Sequence, residues 1–470
     1  MTDKELFEEL TYKRKNVYEN ISDKEKEEML ALCDEYREFL DEGKTERECV
    51  EKAVKMAKLH GFTDINDVNQ LKAGDKVYKI NRNKNILLAV IGSDDIKAGI
   101  NLVGAHIDSP RLDLKPNPLY QDSKLALLKT HYYGGIKKYQ WTTIPLALHG
   151  VIVKKNLEKL VINIGEDDND PIFTITDLLP HLAVKQEDKK LGDAIEGEGL
   201  NLLVGSIPKD DSEESIKENI LSLLNEKYGL IEADFVSAEL EVVPAFKAKS
   251  LGFDRSMVAS YGQDDRVCAY TSLKAIIDAK PSSYTQVAIF ADKEEIGSVG
   301  NTGMYSDVFD MFMNELLSKS GEYNFTSLNK LYCNSRMLSA DVGAGVDPNY
   351  QDVSEKNNAS YIGYGVEINK YTGSRGKGGA SDANAEFVSF VRNIFEENNV
   401  KYQVSELGKV DIGGGGTIAY ILANKGIDVI DCGVPVISMH SPYEVTSKYD
   451  VYSAYCCYKA FLETEKKVNY

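Results

Sequence analysis

His106, Asp264, Glu295, Asp341 and His440 are metal-ligand side chains carried by five short segments spread over more than three hundred residues: NLVGAHIDSP, YGQDDRV, FADKEEIGS, LSADVGAG and VISMHSPYEV. With Asp108 and Glu294 beside them, the set reads as a two-metal hydrolase site. Its donors are imidazole nitrogen and carboxylate oxygen without sulfur, which suits zinc, manganese or cobalt.

Each residue also has an ordinary reading. With 74 acids in 470 residues, roughly a dozen adjacent acidic pairs arise by chance, so Glu294 and Glu295 are compatible with a solvated turn. Their position directly after VAIFA, closed by Ile296, Gly297 and Ser298, instead puts them where a buried strand opens into a loop. An isolated histidine after an apolar run is usually a core residue. Asp108, two positions beyond His106, is placed to accept the second imidazole proton and leave one nitrogen for a metal. Asp341 fits a turn cap, and Asp264 with Asp265 fits a cap on the helix that follows. DIGGGGTIAY, from Asp411 to Tyr420, lacks the Lys-Ser/Thr of a phosphate loop and the spacing of a dinucleotide fingerprint, so it reads as a flexible substrate-side loop. Arg375 and Lys377, in YTGSRGKGGASDA, form either an exposed basic turn or a pocket for an anionic substrate group.

The elements that must position these groups follow from periodicity. Residues 1 to 60 read as helical, with capping boxes at Ser22/Glu25 and Thr45/Glu48 and a stop at Gly61. KVYKIN, ILLAVIG and NLVGAHID then read as strands, with His106 at the end of the third. From about 111 to 244 the texture changes to short strands such as LALHGVIVKK and KLVINIG, a polar stretch from Gln186 to Glu198 and one amphipathic helix around Ser212 to Tyr228. After Val243 helix and strand alternate, which predicts an α/β fold: a mixed central sheet covered by helices, interrupted by a mainly β second domain. The expected division is 1–110 with 245–470 as one discontinuous catalytic domain, and 111–244 as the insertion. Ligands in such sheets gather at the carboxyl ends of strands, where His106, Glu295, Asp341 and His440 all fall. Asp264 precedes a helix, where an anionic side chain is favoured.

Length and charge agree with this. A chain of 470 residues implies roughly two or three domains. A net charge of -19 argues against nucleic-acid or anionic-membrane partners, which such a surface repels. The acidic start MTDKELFEEL has neither the basic region nor the apolar run of a signal peptide, and no apolar stretch is long enough to span a bilayer, so a cytoplasmic protein is expected. Seven cysteines without a CxxC spacing point to reduced, mostly buried thiols.

The ordered series HIDSP, GQDDR, DKEEIGS, SADVGAGVDPNY, GGGGTIA and MHSPYEV resembles the aspartyl aminopeptidase family of co-catalytic zinc metallopeptidases, particularly its bacterial aminopeptidase branch. The resemblance covers nearly the whole chain. It implies two divalent ions per subunit, zinc in the family, with His106, Asp264 and Asp341 around one, Asp264, Glu295 and His440 around the other, and Asp264 bridging. It further implies Glu294 as general base, Asp108 as the orienting partner of His106, and His181, in PHLA, as a residue that meets a neighbouring subunit's active site. Family members form hollow tetrahedral homo-oligomers, often of about twelve subunits, which makes 111–244 the oligomerisation domain by analogy. One departure stands out: aspartyl-specific members carry histidines where this chain has Ala344 and Asp347, which opposes an acidic preference.

The expected reaction is removal of the N-terminal residue from peptides. Two metals ~3.5–4 Å apart lower the pKa of a shared water and polarise the scissile carbonyl, and Glu294 moves the proton. The rivals are a related di-metal deacylase or carboxypeptidase and, in a different class, a non-catalytic peptide-binding assembly protein. Metal content together with turnover of unblocked aminoacyl amides separates them.

Overall fold

The computed structural model describes residues 6–7, 10–373 and 375–470. Both capping boxes form. Ser22 and Glu25 exchange side-chain to backbone bonds of 3.2 and 3.0 Å at the start of the helix Asp23–Glu42, and Thr45 and Glu48 do the same at Glu46–Leu59 with bonds of 3.3 and 3.0 Å. The segment ahead of Ser22 differs from the expected helix. Between 11 and 21 it forms only the 3-10 turn Val17–Glu19, because the Asn16 side chain takes the Tyr18 N–H into an Asx turn.

Four strands then follow: β1 (Thr63–Asp64), β2 (Lys76–Asn81), β3 (Asn85–Val90) and β4 (Ile100–His106). Six more come next: β5 (Arg111–Asp122), β6 (Leu125–Tyr133), β7 (Leu146–Val153), β8 (Lys159–Ile164), β9 (Leu202–Gly205) and β10 (Ala238–Pro244). The remainder are β11 (Lys249–Leu251), β12 (Met257–Ser260), β13 (Thr285–Ala291), β14 (Arg336–Ser339), β15 (Gly343–Ala344), β16 (Val366–Asn369), β17 (Tyr402–Val404), β18 (Asp428–Gly433), β19 (Pro435–Val436) and β20 (Glu444–Ser447).

Nine strands build the central mixed sheet in the order β1-β2-β3-β13-β4-β14-β18-β16-β17. Its middle, β13-β4-β14-β18, is parallel and fully or nearly fully buried, which is why these strands read as continuous apolar runs. One face packs against Asp23–Glu42, Gln263–Asp278, Ala385–Glu397 and Lys448–Glu463. The other is covered by Val308–Lys319 and Ser327–Cys333, two helices not among those expected from the sequence. In the first of these Phe309, Phe312, Met313, Leu316 and Leu317 are buried at helical spacing.

The second sheet, β8-β7-β10-β5-β6-β9, is antiparallel and drawn wholly from Arg111–Pro244. The helix Ser215–Tyr228 packs on it around Leu112, Trp141, Leu148 and Leu240. Its β5 is 12 residues long rather than short. Pro116 and Pro118 fall where the β5–β6 register shifts, between Leu114 and Leu119, and interrupt the alternation that marks a strand.

A buried polar junction ties this sheet to the first helices. Glu166 accepts from Lys44 Nζ at 2.5 Å, Lys247 Nζ at 2.8 Å and His149 Nε2 at 3.1 Å, and His149 Nδ1 reaches Glu48 at 2.8 Å. Burial alone raises the Glu166 carboxyl, but the His149 bond, then Lys44 and Lys247, bring it down to about 2 from an ordinary 4.5. A carboxyl depressed in this way contributes its full stability above pH ~4.5 and loses it as pH falls toward the folded value. Glu166→Gln leaves the Lys44 ammonium its bonds to the Pro244 and Phe246 carbonyls but removes its buried counter-charge, so a loss of about 3 kcal/mol is expected at pH 7. Urea midpoints measured from pH 7 downward test this: the gap to wild type should narrow below pH ~4.5.

Candidate metal centre

The carboxyl ends of β4, β13 and β14 lie side by side, since Ala291 pairs with His106 and Ser339 with Gly104. His106 is the last residue of β4, Asp341 lies two residues past β14, and Glu294 and Glu295 open a 3-10 turn just past β13. Asp264 stands in the first turn of Gln263–Asp278, joined to Asp265 by a cis peptide, with non-helical φ -81° and ψ 107°. His440, with φ +63°, lies on the loop between β19 and β20. Distant parts of the chain thus feed one spot.

Asp264 is the centre of the arrangement. Its Oδ1 lies 3.2 Å from His106 Nε2 and its Oδ2 lies 3.1 Å from His440 Nε2. Around this axis, Asp341 Oδ1 is 3.9 Å and Glu294 Oε2 4.0 Å from His106 Nε2, while Glu295 Oε2 is 3.6 Å from His440 Nε2. Burial raises the carboxyls of Glu295 and Asp341, and it pushes Glu294 up to about 7. Asp264 goes the other way: burial would raise it, but the bonds to His106 and His440 hold it well below the carboxylate range.

The imidazoles are aimed by their far nitrogens. His106 Nδ1 donates to the Asp108 backbone carbonyl at 3.0 Å, nearer than the Asp108 carboxylate at 3.3 Å, and His440 Nδ1 faces the Gly135 carbonyl at 2.9 Å. Nε2 of each is left for the centre. The Asp108 carboxylate is spent mainly elsewhere, since it accepts from the backbone N–H of Glu294 at 3.1 Å and of Glu295 at 3.2 Å, and from Tyr133 O–H at 2.8 Å. It therefore clamps the turn that presents both glutamates. Glu444 does the same on the opposite side, accepting from the N–H of Asp264 at 3.0 Å and of His440 at 2.8 Å.

These donors fit divalent cations. Glu295 Oε1 and Asp265 Oδ1 are buried with no hydrogen-bond partner among the described residues. Ligand atoms of His106, Asp264 and Glu295 lie within 4.8 Å of one another, as do those of His106, Asp265 and Asp341. Nitrogen and carboxylate oxygen at this density is the chemistry of a hydrolytic metal site.

Three further residues shape the centre without being legible as part of it in the sequence: Asp265, Glu444 and Tyr133. Capping is the only role the sequence suggests for Asp265. Its Oδ2 instead accepts the His106 backbone N–H at 3.2 Å, where it supports the strand end that carries His106. Glu444, in SPYEV, offered the one available signal, an acid four residues past a candidate ligand.

A cavity of about 530 Å³ opens over the centre. Ala344, Leu407, Gly414 to Gly416 and Tyr420 line it, so the glycine-rich segment does flank this cavity. Arg375 and Lys377 line a smaller neighbouring cavity that shares Thr372, Glu406 and Leu407 with it, and Lys377 pairs with Asp382 at 3.1 Å. Asp347 is not among the lining residues; it turns its own loop by accepting from the Asn349 N–H. His181 is exposed on the 3-10 turn Pro180–Leu182 and is likewise not part of the lining.

An α/β sheet with this cluster at its carboxyl edge defines a metal-dependent hydrolase. Residues 39–462 match the model of the aminopeptidase I zinc metalloprotease family (M18), and the chain belongs to that family. A probable M18 family aminopeptidase 1 of Clostridium acetobutylicum is 53% identical over 454 residues, covering 95% of this chain and 98% of that protein. The crystal structure of the M18 aminopeptidase of Thermotoga maritima superposes with a TM-score of 0.93 at 46% identity, covering 96% of this chain and all of that one. The yeast mApe1 dodecamer shares the fold at 19% identity, with a TM-score of 0.74 over 91% of this chain and 95% of that one. The protein is thus a metallo-aminopeptidase, and the deacylase, carboxypeptidase and non-catalytic readings are not favoured. Among the described residues no helix is long and apolar enough to cross a membrane.

Proposed function

We propose that the aminopeptidase works with two divalent cations, zinc for preference, one held by His106, Asp264 and Asp341 and the other by Asp264, Glu295 and His440. The observation that carries this reading is Asp264, whose two oxygens face two separate imidazole Nε2 atoms at 3.2 and 3.1 Å. The bound cations would supply Lewis acidity that polarises the scissile carbonyl and acidifies water. Glu294, with 18% of its side chain exposed at the cavity, is placed to take a proton from the attacking water and return it to the leaving amine. Asp108 fixes that proton carrier by gripping its backbone N–H. The products are a free amino acid and a peptide shorter by one residue. Metal analysis of the loaded protein, with turnover of leucyl amide against its N-acetylated form, tests the reading: two equivalents and strict dependence on a free amine are expected.

The segment 111–244 serves, in this reading, as the oligomerisation domain of a cytoplasmic homo-oligomer, a dodecamer by fold analogy. Its support is the exposed apolar run Leu178, Leu179, Leu182, Val184 and Leu191, which surrounds His181 and is of the kind that a protein partner covers. Mixed particles of His181→Ala and Glu294→Gln subunits should then regain activity that neither variant has alone, since an intact His181 from one meets an intact base in the other. Verified subunit exchange with no recovery removes the trans arrangement.

A further inference from the structure

Beyond the metal centre the cavity is floored by two buried carboxylates. Asp431 is 2% exposed and Glu367 1% exposed, and both line the cavity. Asp431 pairs in the sheet with Ser339, two residues before Asp341, and Glu367 pairs with Gly433 on the next strand. They therefore sit one and two strands along from Asp341, ~5 and ~10 Å across the sheet edge.

The hydrogen bonding of Asp431 is incomplete, whereas that of Glu367 is not. Asp431 Oδ1 accepts from Thr417 at 2.7 Å and the Ser339 side chain lies beside the carboxyl, while Oδ2 is buried without a well-formed hydrogen bond among the described residues. Glu367 accepts from Ser405 at 2.9 Å and Asn369 at 3.2 Å. Gly343 lies against it so closely that a Cβ there would fall 1.1 Å from Glu367 Oε1, so only glycine leaves room for this carboxylate at the cavity wall. Burial raises both carboxyls, Asp431 to about 6. Among the described lining residues there is no Lys or Arg, and Glu406 adds a third carboxylate toward the neighbouring cavity. Val342, Leu407 and Met439 supply apolar wall to the same cavity.

Apolar walls ending in one unpartnered Asp431 oxygen and a second carboxylate, with no Lys or Arg in the described lining, match a long aliphatic stem ending in a cation. We propose that this part of the cavity receives the side chain of the substrate's N-terminal residue and selects a basic one, lysine or arginine, with Asp431 and Glu367 as specificity-determining residues. The inference rests on the aminopeptidase reading of the adjacent centre. An acidic side chain meets like charge here and leaves Asp431 Oδ2 unpaired, whereas an ammonium or guanidinium satisfies it. Opposition to an acidic preference thus has a different source from the Asp347 expected from sequence.

The test compares kcat/KM for lysyl, arginyl, norleucyl and aspartyl amides at fixed metal loading and ionic strength. Norleucine keeps the lysine stem without its charge. The lysyl to norleucyl ratio is expected to exceed ~10 in the wild type, with aspartyl the poorest substrate. Asp431→Asn should lower that ratio at least ~5-fold, and Glu367→Gln should lower it in the same direction. Calorimetric binding of L-lysine against L-norleucine gives a second readout independent of turnover. A wild-type ratio of one or less, or a ratio unmoved in both variants, overturns the proposal and leaves the carboxylates a purely structural role. Turnover of norleucyl amide without a lysyl advantage overturns this inference alone. No turnover of any unblocked amide by the metal-loaded wild type overturns the aminopeptidase reading and this one with it.

Discussion

Glu294→Gln is expected to retain its metal and to lose at least ~100-fold in kcat, the usual worth of a positioned general base. Glu295→Gln, one residue on, should fail differently, with metal affinity falling first and activity following it. The contrast comes from geometry. Glu295 Oε2 lies 3.6 Å from His440 Nε2, and its other oxygen is buried without a partner among the described residues, as befits a ligand. Glu294 stands 4.0 Å from His106 Nε2 with 18% of its side chain exposed to the cavity where substrate must lie. Glutamine preserves the volume of both residues and the backbone bonds that Asp108 accepts from them, so neither variant needs to refold. Metal content and single-turnover rate, measured on the same preparation, separate the roles. Full turnover by metal-loaded Glu294→Gln removes the base assignment.

The centre is legible in the sequence because each ligand follows a strand or opens a helix, and the types of residue needed for metal chemistry are few. His106, Asp264, Glu295, Asp341 and His440 do come together, as do Asp108 and Glu294. What supports them is illegible for a physical reason. Tyr133 reaches Asp108 from β6, and Glu444 reaches Asp264 across 180 residues, contacts that no local spacing encodes. Asp265 is hidden because an acidic pair at a helix start has a sufficient explanation in capping. The pocket floor escapes notice for the opposite reason: Glu367 and Asp431 lie inside the strands VEIN and DVIDCG, where an acid looks like an interruption of the core. Only the pairing of β14 with β18 and of β18 with β16 brings them beside the centre. Periodicity likewise locates the parallel strands but misses β16, four residues long between irregular segments.

Asp264→Asn should be the more damaging of the ligand substitutions, because one carboxylate faces both imidazoles. In the proposed two-cation arrangement, loss of a ligand to a single cation would leave the other position populated, whereas loss of the shared carboxylate charge would weaken both. Metal affinity is expected to fall at least ~100-fold at each position, beyond the ~10–100-fold typical of a supporting residue such as Asp108. Turnover should fall by ~1,000-fold or more, since the cations that Asp264 would hold would supply both the Lewis acidity and the acidified water. A stability measurement makes the same point without turnover. A cation that binds only the folded chain adds stability of RT ln(1 + [L]/Kd), about 2.7 kcal/mol at a hundredfold excess over Kd. Wild type should therefore melt at clearly higher temperature with metal than with chelator, and Asp264→Asn should show almost no such difference. Asp108→Asn should fall between them, because it loosens the turn bearing Glu294 and Glu295 yet leaves every proposed ligand in place. Two equivalents of metal bound to Asp264→Asn at wild-type affinity would remove Asp264 from the bridging position. The order of the three melting shifts thus measures how much of the centre hangs on one residue.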